Sequence, residues 1–195
     1  MGTYEAVVIG VSAGGLRALA ALLAVLPAAF PLPVAVVQHV QAGSDGFLAE
    51  YLNERCAVVV KEADDKEALR PGWVYLAPAG YHLLIEEERS FGLSIDPRVN
   101  YSRPSIDVLF ESAARVYQER CIGIVLTGAN RDGSAGLQAI KRGGGLAVVQ
   151  DPANAEFEAM PLAAIGAGPV DHILPLEDIG SLLLALASGA GGAMD

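Results

Sequence analysis

Hydrophobic positions in this chain alternate between short unbroken runs and stretches where they recur every three or four residues. The runs fall at residues 5–10, 34–38, 57–61, 122–126, 146–150 and 170–174. Unbroken apolarity over five or six residues suits a strand covered by helices on both faces, as in a parallel sheet. Between the runs, Leu16, Leu19, Leu22, Leu23 and Leu26 mark one face of a helix that ends at Pro27. Ile106, Leu109, Phe110, Ala113, Val116 and Tyr117 do the same behind Pro104, a residue suited to a first helical turn. Further helices are expected near 47–54, 133–141, 161–165 and 176–187. The middle of the chain differs: residues 73–76, 82–85 and 92–95 are short runs separated by turn residues at 78–80 and 86–89. They read as an antiparallel meander. The expected architecture is α/β, a doubly wound, mainly parallel sheet with an antiparallel meander insert. A single domain is expected over residues 1–195, with fraying after residue 187.

Composition narrows the class. The chain has 195 residues, 52% hydrophobic and 18% charged, which excludes a disordered tail protein. Thirteen basic against 23 acidic residues give a net charge of −10. Such a surface repels phosphate backbones and anionic lipids, so neither nucleic acid nor membrane is an expected partner. The most apolar stretch, 16–37, is interrupted by Arg17, Pro27, Pro31 and Pro33, too often for a membrane span. No signal-peptide n-region opens the chain, and a cytoplasmic location is expected. Cys56 and Cys121 form no C-x-x-C pair and are expected to be reduced.

In doubly wound sheets, ligands bind outside the carboxyl ends of the strands. Three reactive residues fall there. Ser12 lies in Gly10-Val11-Ser12-Ala13-Gly14, a G-x-S-x-G sequence between a strand and a helix, where glycines allow a sharp turn that bares the hydroxyl. The same segment also suits a phosphate loop, or a turn with Ser12 as helix cap. His39 closes the second strand; it is the one histidine of three placed to serve Ser12 as a base, and it equally suits a structural role. Asp132, in the turn after the 122–126 strand, suits an orienting partner for an imidazole or a helix cap. The dinucleotide fingerprint is absent, and no Walker lysine is present.

Several separated blocks are recognisable together: Ile9-Gly10-Val11-Ser12-Ala13-Gly14-Gly15, Val37-Gln38-His39, residues 74–83, residues 103–110, Leu126-Thr127-Gly128 with Asp132-Gly133, and Val149-Gln150-Asp151-Pro152. In these blocks the chain resembles the catalytic domain of the CheB-type protein-glutamate methylesterases of bacterial chemotaxis, over about residues 7–187. The resemblance implies hydrolysis of glutamate γ-methyl esters on chemoreceptor helices, with methanol released, and in some members glutamine deamidation. It implies Ser12 as nucleophile, His39 as base, Asp132 as its partner, and a backbone oxyanion donor at Ala129. A second donor is expected at Ala13, at the start of the helix after Ser12. Arg17 and Arg103 are candidates for binding an acidic receptor helix, or are solvated surface arginines. No metal and no cofactor are expected.

The sequence departs from the family pattern where Ala13 replaces the usual Thr, and where Ala129 and Asn130 replace Met and Gly of T-G-M-G-x-D-G. A backbone N–H survives at Ala129, and Asn130 can still adopt a left-handed conformation, though less freely than glycine. No receiver domain is expected. Any phosphorylation control would then come from a separate protein or be absent, with a response regulator and a methyltransferase as candidate partners. The alternatives are an esterase acting on another protein, a catalytically weak module that docks on receptors, and a phosphate- or nucleotide-binding domain.

Overall fold

The computed structural model describes residues 4–39 and 46–188. In chain order the elements are β1 (Ala6–Val11), α1 (Gly15–Ala24), β2 (Val34–Gln38), α2 (Phe47–Asn53), β3 (Val59–Glu62), β4 (Trp73–Leu76), β5 (His82–Ile85) and β6 (Phe91–Ser94). Then follow α3 (Ile106–Tyr117), β7 (Cys121–Val125), α4 (Ser134–Arg142), β8 (Leu146–Gln150), α5 (Ala159–Ala167), β9 (His172–Leu174) and α6 (Leu176–Ser188). Seven strands form one sheet in the order β3-β4-β2-β1-β7-β8-β9, and every neighbouring pair is parallel. The α/β fold with a mainly parallel sheet is thus as the runs imply. Among the described residues, no helix is long and apolar enough to cross a membrane.

The insert is smaller than expected. β4 is a member of the parallel sheet, seated between β3 and β2 with Val74 opposite Val34. Only β5 and β6 pair antiparallel, as a separate hairpin. The reason lies in burial on both faces. Val74 and Leu76 enter one apolar layer, while Tyr75 enters the other. A strand buried on both faces belongs inside a parallel sheet. The hairpin instead lays Leu83, Ile85 and Phe91 onto the Tyr75 side, and the Ile85 amide donates to Ser112 Oγ of α3 at 3.0 Å.

Alternation along β1 divides the molecule. Val7, Ile9 and Val11 point into the layer shared with α1 and α6; Ala6 and Val8 point into the layer shared with α3 and α4. Because β1 lies between β2 and β7, successive connections leave it in opposite directions, which opens a crevice at the carboxyl ends of these three strands. One side chain fixes the floor of that crevice. Ile106, first residue of α3, is fully buried, and its Cγ2 occupies the space that a Cβ would fill at both Gly10 and Gly133. The two glycines therefore let α3 press its first turn against the ends of β1 and β7. Replacing Gly10 with alanine should force Ile106 outward and cost about 1–3 kcal/mol. That is a drop of several degrees in Tm by calorimetry.

Candidate active site

The register that pairs Val11 with Gln38 carries past the last strand residues and brings Ser12 beside His39. The His39 amide donates to Val11 O at 3.1 Å, and the Ser12 amide donates to Thr127 O at 3.0 Å. Ser12 is thus held from both flanking strands. The chain then turns at Gly14, which is left-handed (φ 78°), and α1 begins. Ser12 itself has no positive φ and makes no side-chain cap of α1. Gln38 steadies the same turn, its Nε2 donating to Ser12 O at 2.9 Å and to His39 O at 3.0 Å.

The three strand-end residues come together. Ser12 Oγ lies 3.1 Å from His39 Nδ1, and His39 Nε2 lies 2.8 Å from Asp132 Oδ2. Asp132 is wholly buried, and the His39 side chain is 13% exposed. An ionised carboxylate only accepts, so Nε2 carries the proton toward Asp132. In the neutral ring Nδ1 then presents its lone pair to the Ser12 hydroxyl, the arrangement that activates a nucleophile.

Asp132 does not cap α4, whose N-cap is Gly133. Its carboxylate closes the first turn of α3 instead. Oδ2 accepts from the Ile106 amide at 2.7 Å; Oδ1 accepts from the Asp107 amide at 3.2 Å, Ser105 Oγ at 2.8 Å and Asn100 Nδ2 at 2.8 Å. Free amides and the dipole at a helix start favour a negative charge. Burial pushes the Asp132 carboxyl up, but bonds from His39, Asn100, Ile106 and Ser105 outweigh it and hold the group below the ordinary range. Asp107 goes the other way: burial raises it, against the Gly136 amide, and the neighbouring Asp132 charge adds to the rise. Asn100 Nδ2 bridges the two carboxylates, 2.7 Å from Asp107 Oδ2. Asn100 and Tyr101 are left-handed, and Tyr101 is 96% exposed at the tip of this loop.

Across the crevice, Thr127 Oγ1 donates to Ala13 O at 2.9 Å and accepts from the Phe157 amide at 2.8 Å. Neither the Ala13 nor the Ala129 amide has an acceptor among the described residues. Beside Ala129 lies an open groove of about 400 Å³, lined by Ala155, Glu156, Phe157, Glu158 and Ala159. A larger concavity, about 1080 Å³, lies against the hairpin near Lys66, Glu86 and Arg115 and includes none of Ser12, His39 and Asp132.

The two arginines differ. Arg17 is 87% exposed, 4.0 Å from Glu156 on the rim. Arg103 turns inward to its own loop, its Nη1 donating to Ile95 O at 2.6 Å and Asp96 O at 3.0 Å. Asn130 makes no use of the left-handed conformation open to it. Its side chain does other work: Oδ1 accepts from the Asp132 amide at 3.0 Å, and Nδ2 lies 3.2 Å from His39 Nδ1. Both cysteines are free, and burial pushes the Cys121 thiol up to about 12. Among the described residues, no group of three His, Cys, Asp or Glu side chains is placed to hold a metal ion.

Comparison with known proteins gives this site its family. The model of the CheB methylesterase family matches residues 7–183. The chain belongs to the CheB methylesterase family. A Leptospira interrogans protein, named in the protein-glutamate methylesterase/protein-glutamine glutaminase class, is 54% identical over 183 residues, 94% of this chain and 95% of that protein. The protein-glutamate methylesterase FrzG of Myxococcus xanthus is 40% identical over 181 residues, 93% of this chain but 54% of its own length. The chain therefore spans nearly all of the first relative and about half of the second. The crystal structure of the Thermotoga maritima CheB methylesterase catalytic domain superposes with a TM-score of 0.91 at 35% identity, over 95% of this chain and all of that one.

Within this family site, the residues that sequence reasoning passed over are Gln38, Asn100, Ser105 and the hydroxyl of Thr127. Each sits inside or beside a recognised block, but no spacing rule marks a side chain that bonds across 20 or more positions. The carboxylate network has a pH signature. Because Asp132 is held below the ordinary aspartate value of 3.8, its contribution is complete above that value. It is lost as pH falls through the lower folded value. Asp132→Asn should be less stable than the parent protein by about 2–4 kcal/mol at pH 7, having turned an amide NH2 toward donors. Thermal melts between pH 7 and 3 should show that gap narrowing only at the acid end.

Proposed function

We propose that this chain is a protein-glutamate methylesterase. It hydrolyses glutamate γ-methyl esters on chemoreceptor helices through Ser12, His39 and Asp132. The observation that carries the reading is the continuous relay, Ser12 Oγ to His39 Nδ1 at 3.1 Å and His39 Nε2 to Asp132 at 2.8 Å, in a member of this family.

In the mechanism, Ser12 Oγ attacks the ester carbonyl as its proton passes to His39 Nδ1. The imidazolium is stabilised by Asp132, already ionised and aligned by its other donors. The oxyanion is held by the Ala13 and Ala129 amides, which have no competing acceptor among the described residues. Losing one such donor typically costs ~10²–10³ in rate. The carbon–oxygen bond breaks, the methoxide takes the Nδ1 proton, and methanol leaves. Water, activated by the same nitrogen, then releases the glutamate carboxylate and restores Ser12. Glutamine deamidation would use the same steps with ammonia as leaving group. Arg17 is the arginine available to an acidic receptor helix; Arg103 acts indirectly by holding its loop. The catalytic unit is one domain, since both apolar layers share the single sheet.

Methanol release from methylated receptor fragments tests this. Ser12→Ala and His39→Ala should each lower it at least ~10³-fold. The melting temperature should shift by no more than about 2 °C in Ser12→Ala, whose side chain does not hold the core. It should fall by several degrees in His39→Ala, which takes one donor from the buried Asp132 carboxylate. Undiminished release by Ser12→Ala would overturn the serine mechanism.

A further inference from the structure

We propose that Asn130 sets the preference of this site for ester over amide substrates; the inference rests on the hydrolase reading above. The Asp132 amide can only donate, so the atom of Asn130 that faces it must be the carbonyl oxygen. The NH2 group is thereby committed to the other side, 3.2 Å from His39 Nδ1. Ser12 Oγ lies 3.1 Å from the same nitrogen. Two donors thus share one lone pair.

The leaving group must collect its proton from Nδ1. Its heteroatom therefore has to come within hydrogen-bond reach of Nδ1, in the space toward which the Asn130 NH2 points. A departing ester oxygen carries only lone pairs there. It accepts from Nδ1–H and from Asn130 N–H together as the carbon–oxygen bond breaks. A departing amide nitrogen has one lone pair, taken by Nδ1–H, and two hydrogens of its own. These face the Asn130 N–H groups, donor against donor, and the mismatch is made as the carbon–nitrogen bond breaks. Both reactions balance identically, with methanol or ammonia leaving and water consumed; they differ in what the leaving atom offers Asn130. A buried site rejects a group whose hydrogen-bonding pattern is inverted far better than one that is merely larger.

The test is the ratio of kcat/KM for methanol release to that for ammonia release. It uses N-acetyl-glutamate γ-methyl ester α-amide and its glutamine counterpart. Asn130→Ser retains an oxygen for the Asp132 amide and is too short to reach His39. Asn130→Gly, the residue of the family pattern at this position, removes the NH2 altogether and guards against a serine variant that does not fold. The ratio should fall about tenfold in both variants. A purely structural role would lower both rates by the same factor. An unchanged ratio in the folded variants, or loss of ester turnover with no amide turnover in any of them, overturns the proposal. If the unaltered protein turns over neither these compounds nor methylated receptor fragments, the hydrolase reading itself has failed.

Discussion

The structure turns on a buried negative charge. Asp132 has no solvent exposure and receives five donors: His39 at the end of β2, Asn100 and Ser105 from the loop before α3, and two amides of the first turn of α3. An uncompensated carboxylate in such a place would cost several kcal/mol, so folding has to bring these segments together for the charge to be tolerated. Fold and site are for this reason hard to separate. The bonds that satisfy Asp132 dock the helix, align the imidazole and fix its tautomer.

The neighbouring features follow from that docking. Ile106 fills the space left by Gly10 and Gly133, so the amides of α3 arrive within reach of the carboxylate. Asp107, the next residue, is also drawn into the interior, where its carboxylate accepts from the Gly136 amide at 2.7 Å. Two carboxylates this close repel each other, and Asn100 stands between them with one NH2 group. Their shifts run in opposite directions: donors outweigh burial at Asp132, whereas burial and the Asp132 charge prevail at Asp107. On the other side, Thr127 joins the serine turn to the 155–159 segment, so the rim of the crevice is set by hydrogen bonds and less by packing.

Much of this was legible in the chain. Unbroken apolar runs reported burial on both faces, and the positions just past them reported Ser12, His39 and Asp132. The error at residues 73–76 has a physical source: a short run between turns reads alike as a hairpin strand or as a buried parallel one, and only the second layer of packing distinguishes them. The role of Asn130 was not legible for a related reason. Replacing a glycine suggested a backbone role, whereas the side chain is what matters, bonding both Asp132 and His39. Asn100 carries no local signal, since its partners lie 7 and 32 positions away. Residues 40–45, which follow His39, lie outside the described part of the chain, as do residues 189–195 of the stretch expected to fray after 187; Ser188, the first residue of that stretch, is instead the last residue of α6.

A serine poised by a buried Asp–His pair should be reactive toward reagents that no ordinary serine attacks. Incubation with a serine-directed fluorophosphonate, followed by peptide mass spectrometry, asks this without assuming any substrate. A single adduct on Ser12, forming at least ~10²-fold more slowly in His39→Ala, is the result expected of an activated nucleophile. Labelling elsewhere, or labelling of Ser12 at the same rate without His39, would contradict it.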